Sequence, residues 1–170
     1  MKTAGRIVFA AFCILLMGCG KSAKLAALLP DAPTGWNAEG RATNRDVSGV
    51  GHSSAMSYVP SASMDGLGVK QVTVQILVAE KGADQKKLSD MSIDFPGFKE
   101  QKEVGGFPAY ESFPLPDNDR HSLDILPKTG TYVLIVAYKG GPAWDQAENR
   151  KTAVAAFVAK IDLKKIAALE

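Results

Sequence analysis

Sulfur and imidazole are scarce in this chain: among 170 residues the only cysteines are Cys13 and Cys19, and the only histidines His52 and His121. Both cysteines fall at the very start, so the remainder has no thiol for a disulfide, a zinc site or nucleophilic catalysis. Two imidazoles are too few for a His-rich metal cluster, and no Cys-x-x-Cys-His stands ready for haem. No metal or cofactor is expected. Long apolar runs are missing too. The one at residues 7–17 stops near half of the roughly 20 residues that a membrane-spanning helix needs. There are no internal repeats and no low-complexity tract. A charge excess is also lacking: Lys and Arg number 20 against 18 Asp and Glu, and Lys2 and Arg6 account for the difference. From residue 19 onward the chain is formally neutral, which argues against the clustered basic face that general nucleic-acid binding requires.

What is present begins with the leader. Lys2 and Arg6 supply a positive n-region, residues 7–17 an apolar stretch, and Gly18 the small residue that a signal peptidase needs before the scissile bond. Leu16-Met17-Gly18-Cys19 resembles the lipobox of bacterial lipoproteins, with Leu three residues before an obligatory Cys and a small residue directly before it. The resemblance implies a signal peptide at 1–18, recognition through Leu16 and Gly18, and a diacylglyceryl thioether on Cys19, whose thiolate is the strong nucleophile. Two other readings compete. An uncleaved anchor lacks length, and an ordinary secretory signal leaves Leu16, Gly18 and Cys19 as coincidence. In Gram-negative lipoproteins the freed Cys amine takes a further acyl chain, such as palmitate, and two or three chains hold a protein stably where one is marginal. Gly20 in place of Asp after the cysteine implies the outer membrane by the same resemblance.

Removal of residues 1–18 leaves 152, enough for one domain that buries about two-thirds of its unfolded surface. Residues 19–29 read as a short membrane-proximal tether with an apolar helical turn at 24–29, and 30–170 as a single domain. Residues 37–51 are polar and carry glycine, which reads as a loop with at most a short edge strand. Residues 54–59 alternate, and 69–79 give the clearest strand, with Val72, Val74, Ile76 and Val78 on one side. A short helix is expected at 83–91. Gly105-Gly106 and Pro127-Lys128-Thr129-Gly130 each sit between alternating segments, as hairpin connections do. Residues 131–138 are apolar on both sides, the mark of a central strand. Beyond Gly140-Gly141-Pro142 the period becomes 3.6, with Trp144, Ala147, Val154, Val158 and Ile161 as the stripe of a helix at 143–160. Asp162 is a plausible N-cap for a last helix at 163–169. Strands first and helices last indicate an α+β fold, an antiparallel β-sheet with a long C-terminal helix and smaller helices packed on one face.

Leu28-Leu29-Pro30, Pro33, Gly35-Trp36 and Ile161-Asp162-Leu163 resemble the opening and closing motifs of small envelope lipoproteins of uncharacterised function, a likeness that carries no catalytic residue. The order of elements is also loosely similar to the Mog1/PsbP-like fold, and a fold-level likeness assigns no activity.

Three patterns invite chemistry. Gly51-His52-Ser53-Ser54-Ala55 approximates a nucleophile elbow with Ala for the last Gly, but such a serine needs a strand-turn-helix setting, and only His121 could be its distant base. Asp117-Asn118-Asp119-Arg120-His121 with Asp124 has oxygen ligands at alternating positions, yet lacks the glycine and terminal glutamate of a calcium loop. A polar hairpin tip is the simpler account. Trp36, Phe95, Phe98, Phe107, Tyr132, Tyr138, Trp144 and Phe157 serve as core or as pocket lining. Phe95 and Phe98, in a Pro/Gly loop, are candidate interface residues.

The expectation is a non-enzymatic lipoprotein, anchored to the periplasmic face of a bacterial membrane through Cys19, whose domain is a binding or accessory subunit of an envelope assembly. A carrier or sensor of a small apolar ligand is the alternative, and a cysteine-independent envelope hydrolase the third reading.

Overall fold

The computed structural model describes residues 20–93, 99–112 and 119–169. Alternation of apolar residues organises it. Val72, Val74 and Ile76 on one strand, and Val133, Ile135 and Ala137 on its neighbour, are wholly buried on the same side. They belong to β3 (Val69–Ala79) and β7 (Thr131–Lys139), the central pair of a seven-stranded sheet. The other strands are β1 (Trp36–Val47), β2 (Gly51–Pro60), β4 (Lys99–Val104), β5 (Phe107–Ser112) and β6 (Arg120–Lys128). Their order is β1-β2-β3-β7-β6-β5-β4, with every neighbour antiparallel. Two meanders, β1 to β3 and β4 to β7, therefore join through β3 and β7. Gly105 and Gly106 turn β4 into β5 with φ of 60° and 85°, left-handed values that a two-residue hairpin turn needs at both positions. The expected α+β class and the central place of residues 131–138 both hold.

One face of the sheet, here face A, is closed by α1 (Lys21–Ala26), α3 (Ala147–Val158), α4 (Leu163–Ala167) and two 3₁₀ segments, Ala62–Leu67 and Pro142–Asp145. Leu25, Trp144, Val154, Phe157 and Ile166 fill the space beneath them. Phe157 meets Trp36 edge-on at 5.1 Å and Tyr58 at 4.7 Å between ring centroids. Such pairs add about 1 kcal/mol each beyond the area they bury. The Tyr58 hydroxyl, buried with the rings, donates to the Pro30 carbonyl at 2.5 Å. Gly68 lets the strap before Trp144 cross close to the sheet: the amides of Gly140 and Gly141 both reach its carbonyl, and a side chain there would strike the Trp144 nitrogen at 2.3 Å.

Several local expectations are corrected. The helices do not all share a face, because α2 (Gln85–Met91) lies on the opposite one, face B, where Leu88 and Met91 cover Val50, Leu77 and Leu134. The apolar residues on the second side of β3 and β7 require that cover. Residues 37–51 are mostly a twelve-residue edge strand, β1. Its side chains are nearly all exposed, so backbone pairing to β2 holds it and no apolar period announces it. The helix expected at 143–160 is interrupted at Gln146, whose ψ of 114° is extended, which separates the Trp144 turn from α3. Arg150, Ala153, Val154 and Phe157 form the buried stripe of α3. Finally, the stretch expected to be a tether is part of the fold, since α1 packs Leu25 into the core.

Candidate functional site

Leu16, Gly18 and Cys19, and the candidate interface residues Phe95 and Phe98, lie outside the described residues. Gly20 follows Cys19 directly in the chain. From there the chain is pinned to the end of the sheet. Ser22 donates its amide to Asp46 Oδ1 at 3.1 Å and its hydroxyl to Oδ2 at 2.5 Å. These bonds, the Ser22 hydroxyl first, hold the Asp46 carboxyl below the usual range against a smaller upward pull from burial. His52 extends the chain of contacts, with Nδ1 at 3.0 Å from Asp46 and Nε2 at 3.4 Å from Glu80. Glu80 in turn accepts from the Gly49 amide. The network ties α1 to the β1–β2 turn and to the end of β3. Its serine touches the carboxylate and not the imidazole, so it is a clasp and lacks the order of a nucleophilic triad.

The elbow-like run, 51–55, falls entirely within β2, and the strand continues to Pro60 where a nucleophile elbow would turn into a helix. Ser54 donates to Asn44 at 2.7 Å. His121 is on β6, three strand spacings or roughly 14 Å away across the sheet, out of reach of either serine. Of the acidic run near residue 119, Asp117 and Asn118 lie outside the described residues, and Asp124 is paired to Lys99. Among the described residues no group of three His, Cys, Asp or Glu is placed to hold a metal ion. Among them, too, no helix is long and apolar enough to cross a membrane.

Two of the concavities among the described residues lie on the faces of the sheet. On face A, α3 stops short of β4 and β5 and leaves an open groove of about 390 Å³. Val104, Leu123, Val154 and Val158 give it apolar walls, and Lys102, Glu111 and Lys151 its polar rim. Glu111 accepts from Lys102 Nζ at 2.8 Å and lies 3.1 Å from His121 Nε2. Burial pushes the Glu111 carboxyl upward, but Lys102 and His121 outweigh it and its net shift is down. His121 is only 1% exposed, and burial lowers its pKa. Arg150 and Lys102 add to that lowering, while Glu111 opposes it. The imidazole is thus neutral near pH 7.

The second concavity is a polar trough of about 360 Å³ on face B, across β1, β2 and β3, beside the end of α2. Arg41, Arg45, Ser53, Ser57 and Thr73 are among its lining residues. None of these was singled out by motif except Ser53, because a row of small hydroxyls and scattered arginines resembles a loop until strand register aligns it. Comparison with family models, curated proteins and solved structures gave no match for this chain.

Proposed function

We propose that the protein is a lipid-anchored component of the bacterial envelope, on the periplasmic face of a membrane, serving without catalysis as a binding or accessory subunit of an envelope assembly. The lipobox Leu16-Met17-Gly18-Cys19 is the observation that carries this reading. The docking of α1 supports it. Consecutive Cα atoms are ~3.8 Å apart, so an acylated Cys19 would sit next to Gly20, which the Ser22–Asp46 bonds hold at the sheet end. That end, with the β1–β2 turn and the Glu80 segment, would then face the bilayer directly. The outer membrane is the favoured location in a Gram-negative cell.

Cys19→Ala tests the reading. The variant is expected to lose palmitate labelling and to leave the membrane fraction while its circular dichroism stays native. Persistent membrane association through the folded domain would refute the anchor. Crosslinking in native cells, with the same variant as the unanchored control, then tests the accessory role: a stoichiometric envelope partner lost from the control supports it. The face A groove favours a second reading, a carrier of a small apolar ligand. Ala155 lines that groove and is exposed on α3. Ala155→Phe should abolish laurate binding if the groove is its seat, and laurate that never binds the unaltered chain removes this reading.

A further inference from the structure

We propose that the trough on face B is a binding site for an oxyanion, a carboxylate or phosphoryl group held by Arg41, Arg45 and Ser53. Strand register builds it. Along face B, β2 presents Ser53, Ala55 and Ser57, three small side chains in succession, flanked by Arg45, Thr43 and Glu39 of β1 and by Leu77, Gln75 and Thr73 of β3. Short side chains between longer ones leave the depression, and Met91 of α2, with Ser92 and Ile93 just after it, borders it. A bulge between Glu39 and Thr43 interrupts the β1 register, and Arg41 within it lines the trough. Bulges commonly re-aim a side chain in this way.

The polar groups are unevenly committed, and the uncommitted ones have the chemistry to bind an anion. Gln75 is used up, donating to the Met91 carbonyl and accepting from the Ile93 amide. Ser57 and Thr73 share one hydrogen bond at 3.1 Å. Glu39, the sole carboxylate in the lining among the described residues, accepts from the Gln71 amide at 2.9 Å. By contrast Ser53, 1% exposed and directly opposite Arg45, makes no side-chain hydrogen bond among the described residues, although its side chain lines the trough. Arg45 uses Nη1 on the Asp90 carbonyl and keeps its other donors. Arg41 has no partner among the described residues. Two arginines and one buried hydroxyl line a space whose one acidic group among the described residues is engaged elsewhere, and planar guanidinium forks match carboxylate and phosphate oxygens in pairs. The assignment is independent of the fate of Cys19.

The test titrates inorganic phosphate and, separately, citrate into the full chain in non-ionic detergent, with amide chemical shifts as the readout. A saturable shift centred on Arg45, Ser53, Ala55 and Ser57 is expected with at least one of them. Phosphate alone would indicate a phosphoryl ligand, citrate alone a carboxylate ligand, and both a general oxyanion site. The double variant Arg41→Ala/Arg45→Ala should bind about tenfold or more weakly, as loss of charge-assisted bonds implies. Lys86→Ala/Lys87→Ala removes the same charge from α2 outside the trough lining and should change nothing. The proposal is overturned if neither probe saturates by roughly 0.1 M, a hundredfold above a millimolar Kd. Equal weakening in the two double variants would overturn it as well, since that pattern marks diffuse charge attraction.

Discussion

The two faces of one sheet have been given different tasks. Face A is largely dry: three helices and two 3₁₀ segments cover it, and its centre is a cluster of Trp36, Tyr58, Trp144 and Phe157 with aliphatic residues of β3, β5, β6 and β7. Face B has, among the described residues, one short helix whose Leu88 and Met91 cover three buried apolar residues, and beyond that helix the sheet surface is hydroxyl, amide and guanidinium. Backbone pairing is common to both, so the difference lies in the side chains alone. An antiparallel sheet can leave one side wet without losing a hydrogen bond. Here that freedom separates the face that supplies stability from the face that keeps polar groups available.

Truncation at matched depth should break or sustain this contrast most visibly. Phe157→Ala removes a ring that touches both Trp36 and Tyr58 and is expected to cost about 3–5 kcal/mol, as large aromatic deletions do. Leu88→Ala on α2 should cost about 2 kcal/mol, near the lower end for leucine, because the cluster around it is small and can relax. Urea unfolding of both variants decides the matter. Equal losses would mean that α2 is as integral to the core as α3, and the division of labour would fail.

Acid should expose the one weakness of face A. His121 is buried there with its pKa held below the ordinary 6.5, so the unfolded chain takes up a proton before the folded one does. Its contribution is complete above about pH 6.5 and declines as pH falls through that value toward the folded pKa. Glu111, also lowered, adds a second loss below the ordinary 4.5. The thermal midpoint should therefore fall as the pH is lowered from neutrality. In His121→Gln the part of the decline that begins near 6.5 should vanish, leaving the later carboxylate part. An unchanged profile in that variant would show that the proton enters elsewhere.

The same division explains what could be read in advance. β3 and β7 were legible because Val, Ile and Leu alternate or run together where both sides of a strand are covered. The two glycine-bearing hairpins were legible because φ above zero restricts the residues that can turn there. β1 was not, since a solvated edge strand such as residues 36–47 contains Asn, Glu, Arg and Thr and owes its shape to the neighbouring strand. The break at Gln146 was invisible for a related reason: Trp144 and Val154 suit a helical stripe by spacing, while the actual stripe ends in Phe157 and includes a buried Arg150, 3% exposed and 5.6 Å above the Trp144 ring. A charged residue on the buried face runs against any hydrophobic count. The trough was hidden most completely, because register across three strands, and no local pattern, brings Arg45 opposite Ser53.

The smallest effect is the sharpest test of the contrast. Ala55 on face B and Ala137 on face A are both alanines within strands, each flanked by paired neighbours. Ala137 is fully buried, so Ala137→Val forces extra methyl groups into a filled layer and should destabilise by about 1–3 kcal/mol. Ala55→Val places them in open space on a pleated surface that suits β-branched residues, and stability should change by no more than about 0.5 kcal/mol. The same valine narrows the trough between Ser53 and Ser57, so the oxyanion shift should weaken while the unfolding curve stays put. A large loss of stability from Ala55→Val would instead mean that face B is packed there, and that the small side chains of β2 are fitted to the fold and keep no ligand site.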